Sequence, residues 1–114
     1  MYRYPIKLIK VVDGDTVDVE IDLGFNISFR ERVRLYGINA YELREEKGPE
    51  AKQFVQGWFS NGDKFVMESH EYNARGKYGR ILGTFYRDSE EPSLNKLLVE
   101  NELAKVNFYK LILE

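Results

Sequence analysis

Two aspartates flank a glycine at residues 13–15, and the following segment, TVDVEID at 16–22, alternates Val17, Val19 and Ile21 with Asp18, Glu20 and Asp22. Paired carboxylates at one bend offer hard oxygen donors that could hold a metal ion. The same Asp-Gly pair also suits a tight hairpin between two strands. Read alone, Asp13-Gly14-Asp15 is a turn before it is a metal site. Arg30, Arg32 and Arg34 form one group of cations, and Arg75, Lys77 and Arg80 another. Forked guanidinium donors suit phosphate, although each group by itself reads first as solvated side chains.

Composition narrows the chemistry. The 114 residues include no cysteine and one histidine, His70, so disulfides, thiolate metal sites and imidazole clusters are excluded. Catalysis must rest on carboxylates, arginines, lysines and hydroxyls. A net charge of −2 argues against a polyanion binder held by overall positive charge. A local basic site stays open. The length suits one domain over residues 1–114, and 43% hydrophobic with 32% charged residues suits a folded chain. The first ten residues, MYRYPIKLIK, are too polar for a signal peptide, and no run reaches membrane-spanning length. The expectation is a cytoplasmic monomer with no membrane partner.

Elements that could position these residues follow from pattern. Residues 5–12 and 16–23 read as strands joined at Asp13-Gly14. Residues 27–38 read as a third strand with Val33 and Leu35 on one face and Arg32 and Arg34 on the other. A helix opens at Gly48-Pro49, carries Ala51, Phe54, Val55, Trp58 and Phe59 on one stripe, and stops at Gly62. Strands at 64–70 and 80–86 follow, joined by a polar loop, and Ser93 caps a second helix bearing Leu94, Leu97 and Leu98. His70 is a strand-end residue with no assigned role. Five short strands with a helix after the third suit a mainly β (α+β) fold, a five-stranded OB-type Greek-key barrel with two or three helices.

The ordered set DGDT (13–16), RLYGINAYE (34–42), GPEA (48–51), KYGR (77–80) and LAKV (103–106) resembles the thermonuclease, or staphylococcal nuclease-like, family over roughly residues 5–110. The resemblance implies a calcium-dependent nuclease acting on single-stranded or locally melted DNA and RNA with little sequence preference. It makes Asp15 the metal-ligating aspartate, with Asn39 and the backbone carbonyl of Ala40 completing the protein's share and Asp13 in the outer shell. Arg34 and Arg80 become the phosphate-binding arginines, and Glu42 the residue that activates water. Lys77 and Tyr78 would contact the terminal phosphate and nucleotide, and Phe108 and Tyr109 fall near the base-contacting aromatic positions.

These types suit the chemistry. Two guanidiniums can meet the charge that gathers on a phosphodiester's equatorial oxygens. A general base contributes about 10²- to 10⁴-fold. The chain departs from the family at Asn39, where an aspartate is usual, and at Tyr41, where a proline is usual. The first change implies weaker metal binding, and the second removes a rigid proline from the loop presenting Glu42, so both imply weaker activity. The second reading is an OB-type module that binds nucleic acid or protein without cutting; the retention of Asp15, Arg34, Glu42 and Arg80 together favours the enzyme.

Overall fold

The structure, a computed structural model, describes residues 2–41, 47–70, 81–87 and 92–106. Alternation gives the first three strands: β1 (Tyr2–Asp13), β2 (Thr16–Gly24) and β3 (Ile27–Leu35). Val17, Val19 and Ile21 on β2 and Val33 and Leu35 on β3 are buried, while the intervening polar residues face outward. The first strand begins at Tyr2, three residues earlier than expected. Pro5 does not stop it, because residues 2–5 pair only with one later strand and the missing N–H falls where no ladder bond is needed.

The third strand ends at Leu35 rather than 38. Gly37 takes a left-handed φ of +81°, which breaks the ladder and lets a short β4 (Ile38–Ala40) start in a new direction. Next come α1 (Gly48–Ser60), β5 (Phe65–Ser69), β6 (Ile81–Arg87), α2 (Leu94–Glu100) and β7 (Ala104–Val106). Helix α1 has Pro49 in its first turn and buries Ala51, Val55, Trp58 and Phe59, the stripe its spacing requires. It ends at Ser60 with Asn61 as its C-cap, one residue before the expected Gly62. Ser93 caps α2 by accepting from the Lys96 N–H at 3.1 Å.

Five strands close a barrel in the order β1-β2-β3-β6-β5, with β5 returning to β1 and a parallel β3–β6 contact at Val33–Leu35. This is a mainly β, OB-type α+β fold with two helices among the described residues. Phe85, Met67, Leu94 and Leu98 complete its core with the β2 and β3 valines. No helix among the described residues is long and apolar enough to cross a membrane.

Two connections bear on the site. The β4–β7 pair was not legible in sequence, since three-residue strands carry no periodicity; it sets Asn39 opposite Lys105. Asn95, buried on α2, donates to the Tyr36 carbonyl at 2.9 Å and the Gly83 carbonyl at 3.1 Å, and accepts from the Phe85 N–H at 3.2 Å. It thereby pins the start of the β3–β4 break to β6. His70 is buried at the end of β5, stacked 3.5 Å from the Tyr36 ring, with Nε2 2.9 Å from Thr84 Oγ1.

Candidate active site

The β1–β2 turn consists of Gly14 and Asp15, and neither residue takes the left-handed φ expected of an Asp-Gly hairpin. Space explains the glycine. A Cβ on Gly14 would lie 2.7 Å from Ala51 Cβ and 2.9 Å from Ala40 Cβ, so only glycine lets α1 and β4 close on the turn. That close approach brings Asp15 to β4.

The Asp15 carboxylate is then held from two sides. Its Oδ2 accepts from the Ala40 N–H at 3.1 Å and its Oδ1 from the Thr16 hydroxyl at 3.0 Å. Its backbone carbonyl accepts from the Leu35 N–H at 2.8 Å, locking the turn to β3. The neighbouring Asp13 turns its Oδ1 onto the Gly14 N–H at 2.8 Å.

Arg34, opposite Thr16 on β3, points away from buried Val33 and Leu35 as alternation requires. Its Nη2 lies 3.6 Å from Asp15 Oδ2, donates to the Ile38 carbonyl at 3.4 Å, and donates to Asn39 Oδ1. The guanidinium is thus fixed by a carboxylate, a backbone carbonyl and an amide. Arg34 retains 30% of its side-chain exposure and Asp15 13%, so the pair is only partly withdrawn from water.

Asp13, Asp15, Arg34, Asn39 and Ala40 line one cleft of about 520 Å³, together with Val12, Thr16, Arg32, Tyr41 and Lys105. Five residues expected from separate segments therefore meet. Arg32, Thr16, Tyr41 and Lys105 were not among the expected site residues. The two-residue period of β3 puts Arg32 on Arg34's face, and LAKV was a flagged motif without a role for its lysine. Lys105 Nζ sits 5.3 Å from the Tyr41 ring centroid and Lys47 Nζ 5.7 Å from it, so two cations lie within cation–π range of the tyrosine. Arg32 is engaged by Asp18 at 2.8 and 3.2 Å, and this guanidinium holds the Asp18 carboxyl below its ordinary range. Glu42, Lys77, Tyr78, Arg80, Phe108 and Tyr109 lie outside the described residues.

The residues lining the cleft offer side-chain oxygens, the Asp15 carboxylate and the Asn39 amide, with Asp13 beside them and Ala40 in the same lining. Such a set fits a hard divalent cation rather than zinc. Among the described residues no three of Asp, Glu, His or Cys cluster, so an ion here would rest on few charges.

Comparison with known proteins agrees with this arrangement. The family model described as Staphylococcal nuclease homologue matches residues 32–112. The chain is 33% identical to a protein called Protein ParB of Escherichia coli, over 74% of this chain and 42% of that protein. It is 26% identical to a Thermonuclease of Staphylococcus hyicus, over 91% of this chain and 60% of that protein. The chain thus spans between two-fifths and three-fifths of the length of these relatives. With the match extending over most of its length, and with the barrel and the Asp15–Arg34 pair in place, the chain belongs to the staphylococcal nuclease homologue family.

Proposed function

We propose that this chain is a metal-dependent phosphodiester hydrolase that cuts single-stranded or locally melted DNA and RNA with little sequence preference. The observation that carries the reading is the meeting of Asp15, Arg34, Asn39 and Ala40 at one cleft, a carboxylate and a fixed guanidinium beside further oxygen donors. The name of one relative, Thermonuclease, supports the same reading.

Asp15, the Asn39 amide oxygen and the Ala40 carbonyl would hold calcium, with Asp13 in the outer shell. Bound calcium would supply positive charge against the phosphodiester's oxygens. The chain's own groups do the rest. Arg34, already oriented by Ile38 and Asn39, presents forked donors to a phosphate oxygen. Arg80 supplies the second guanidinium. Glu42 takes a proton from the attacking water as the water oxygen bonds to phosphorus; the opposite P–O bond breaks and the leaving oxygen takes a proton from solvent. Lys77 and Tyr78 hold the terminal phosphate and nucleotide, and Phe108 and Tyr109 offer rings to the base.

Asn39 tempers the activity in this reading, because an amide brings no charge to the ion and its oxygen is shared with Arg34. Incubating the protein with single-stranded DNA and RNA, first with calcium and then with excess chelator, tests the proposal. Cleavage that stops in chelator is expected. Cleavage unchanged by chelator removes the metal, and no cleavage at enzyme concentrations near the substrate's turns the reading to a binding module.

A further inference from the structure

Lys105 brings to the cleft a cation that the proposed hydrolysis does not use. The β4–β7 pairing sets it opposite Asn39, the residue whose amide holds Arg34. Directly opposed residues of an antiparallel pair project from one face with Cβ atoms about 4.5–5.5 Å apart, so both side chains reach the cleft that they line. One step beyond the Ala40–Ala104 pair, the Tyr41 N–H donates to the Leu103 carbonyl at 3.4 Å, which places Tyr41 diagonally across from Lys105. A long side chain spans such a diagonal. Lys105 Nζ accordingly lies 5.3 Å from the centre of the Tyr41 ring. Lys47, just ahead of α1, has its Nζ 5.7 Å from the same ring and donates to the Glu102 carbonyl at 3.3 Å, so the tyrosine is held from a second element.

The three cations of the cleft lining are engaged differently. Arg32 is bound by Asp18, and Arg34 lies 3.6 Å from Asp15. The Asp13 and Asp15 carboxylates accept from the Gly14 N–H, the Thr16 hydroxyl and the Ala40 N–H, and neither is ion-paired with Lys105. Lys105 is exposed and aimed by an aromatic ring. Resting on the hydrolase reading, we propose that Lys105 binds the phosphate next to the one that is cut, and that Tyr41 is the positioning residue that aims it. Asn39 stands beside both cations, so Arg34 meets the scissile phosphate and Lys105 its neighbour along one wall of the cleft. A forked guanidinium suits the group whose oxygens must be oriented; a compact ammonium on a flexible stem suits one that need only be held. The substrate class narrows to strands that carry a charged phosphodiester beside the bond that breaks.

Thymidine trinucleotides test this. One has two phosphodiester linkages, and in two others one linkage or the other is a neutral methylphosphonate. With calcium, the parent should cut a given phosphodiester about 10-fold faster in kcat/KM when the linkage on one particular side of it is charged, mainly through KM. Lys105→Gln should bring that ratio to about one, and Lys105→Arg should keep it. Tyr41→Phe retains the ring and should retain the ratio, whereas Tyr41→Leu should lower it and change it no further in the Lys105→Gln background. A tyrosine that served the fold alone would slow all the trinucleotides alike, so an unchanged ratio in Tyr41→Leu overturns the positioning role. A ratio of one in the parent, or the parent's ratio in Lys105→Gln, overturns the proposal while calcium-dependent cleavage by the parent upholds the hydrolase reading. No calcium-dependent cleavage of trinucleotides or longer strands, at enzyme concentrations near the substrate's, overturns both.

Discussion

The β2 strand runs between two turns that look alike in sequence, each an aspartate close to a glycine, and the structure treats them as opposites. At the first, Gly14 has no room for a Cβ, and the Asp13 and Asp15 side chains are drawn into hydrogen bonds with the turn and β4. At the second, nothing lies within 4 Å of a Cβ on Gly24, three successive residues take left-handed φ angles, and Phe25 stands in solvent. Packing shapes the first turn, whereas the second is held locally, with the Gly24 N–H donating to Asp22 Oδ1 at 2.8 Å. Polar groups converge where other elements close on the ribbon, and apolar ones stay outside where none of the described elements does.

Arginines on one face of β3 give the widest separation between the two ends. Arg34→Ala should lower cleavage by about 10²- to 10³-fold, the range for removing one donor that meets developing charge. Arg30→Ala, four residues toward the tip and paired with Glu20 at 3.4 Å, should leave the rate unchanged. Single-turnover cleavage of the two variants with calcium checks this, and similar losses in both would mean that the substrate track extends along the ribbon.

The glycines separate the turns next. Gly14→Ala should destabilise the fold by about 2–3 kcal/mol, because neither Ala40 nor Ala51 can rotate out of the way. It should also weaken activity by shifting β4 away from Asp15. Gly24→Ala meets no neighbour but keeps a φ of +83°, and should cost about 1 kcal/mol with activity retained. Urea denaturation with parallel cleavage assays reads both.

These contrasts mark what was legible in the sequence. Alternation placed β2 and the buried valines correctly because one face of that strand is packed. The same alternation set Arg34 outward. Two short motifs, DGDT and RLYGINAYE, carry the residues Asp15, Arg34, Asn39 and Ala40 that line one cleft. The β4–β7 pair was not legible, because it depends on the Gly37 break and on partners some 66 residues apart, as Asn39 and Lys105 show. Asn95 escaped for another reason: on a short helix a buried asparagine looks like an exposed one until its three backbone partners are seen. The Asp-Gly hairpin was legible, but the reason for its glycine was not, since Gly14 answers a steric demand from α1 and β4 that the local sequence does not contain.

The Asp18–Arg32 pair, on the outer face between the two ends, should contribute least. Its side chains keep 25% and 50% of their exposure, so Asp18→Asn should barely move the melting curve at neutral pH. The hydrogen bond from Arg32 lowers the Asp18 pKa from the ordinary 3.8, so its small stabilisation is present above that value and is lost as pH falls through the lowered one. Melting of parent and variant should therefore converge in acid below that range. A variant already far less stable at neutral pH would show that the pair holds the cleft wall.

The most direct test is a calcium titration of cleavage rate in the parent and in Asn39→Asp. A carboxylate at this position adds one negative charge beside Asp15, and calcium affinity follows the number of charged ligands. The calcium concentration for half-maximal rate should fall by about 10-fold, equivalent to about 1.4 kcal/mol. Identical calcium dependence in the two proteins would contradict the placement of Asn39 at the ion, and with it the assignment of this cleft as the metal-dependent site.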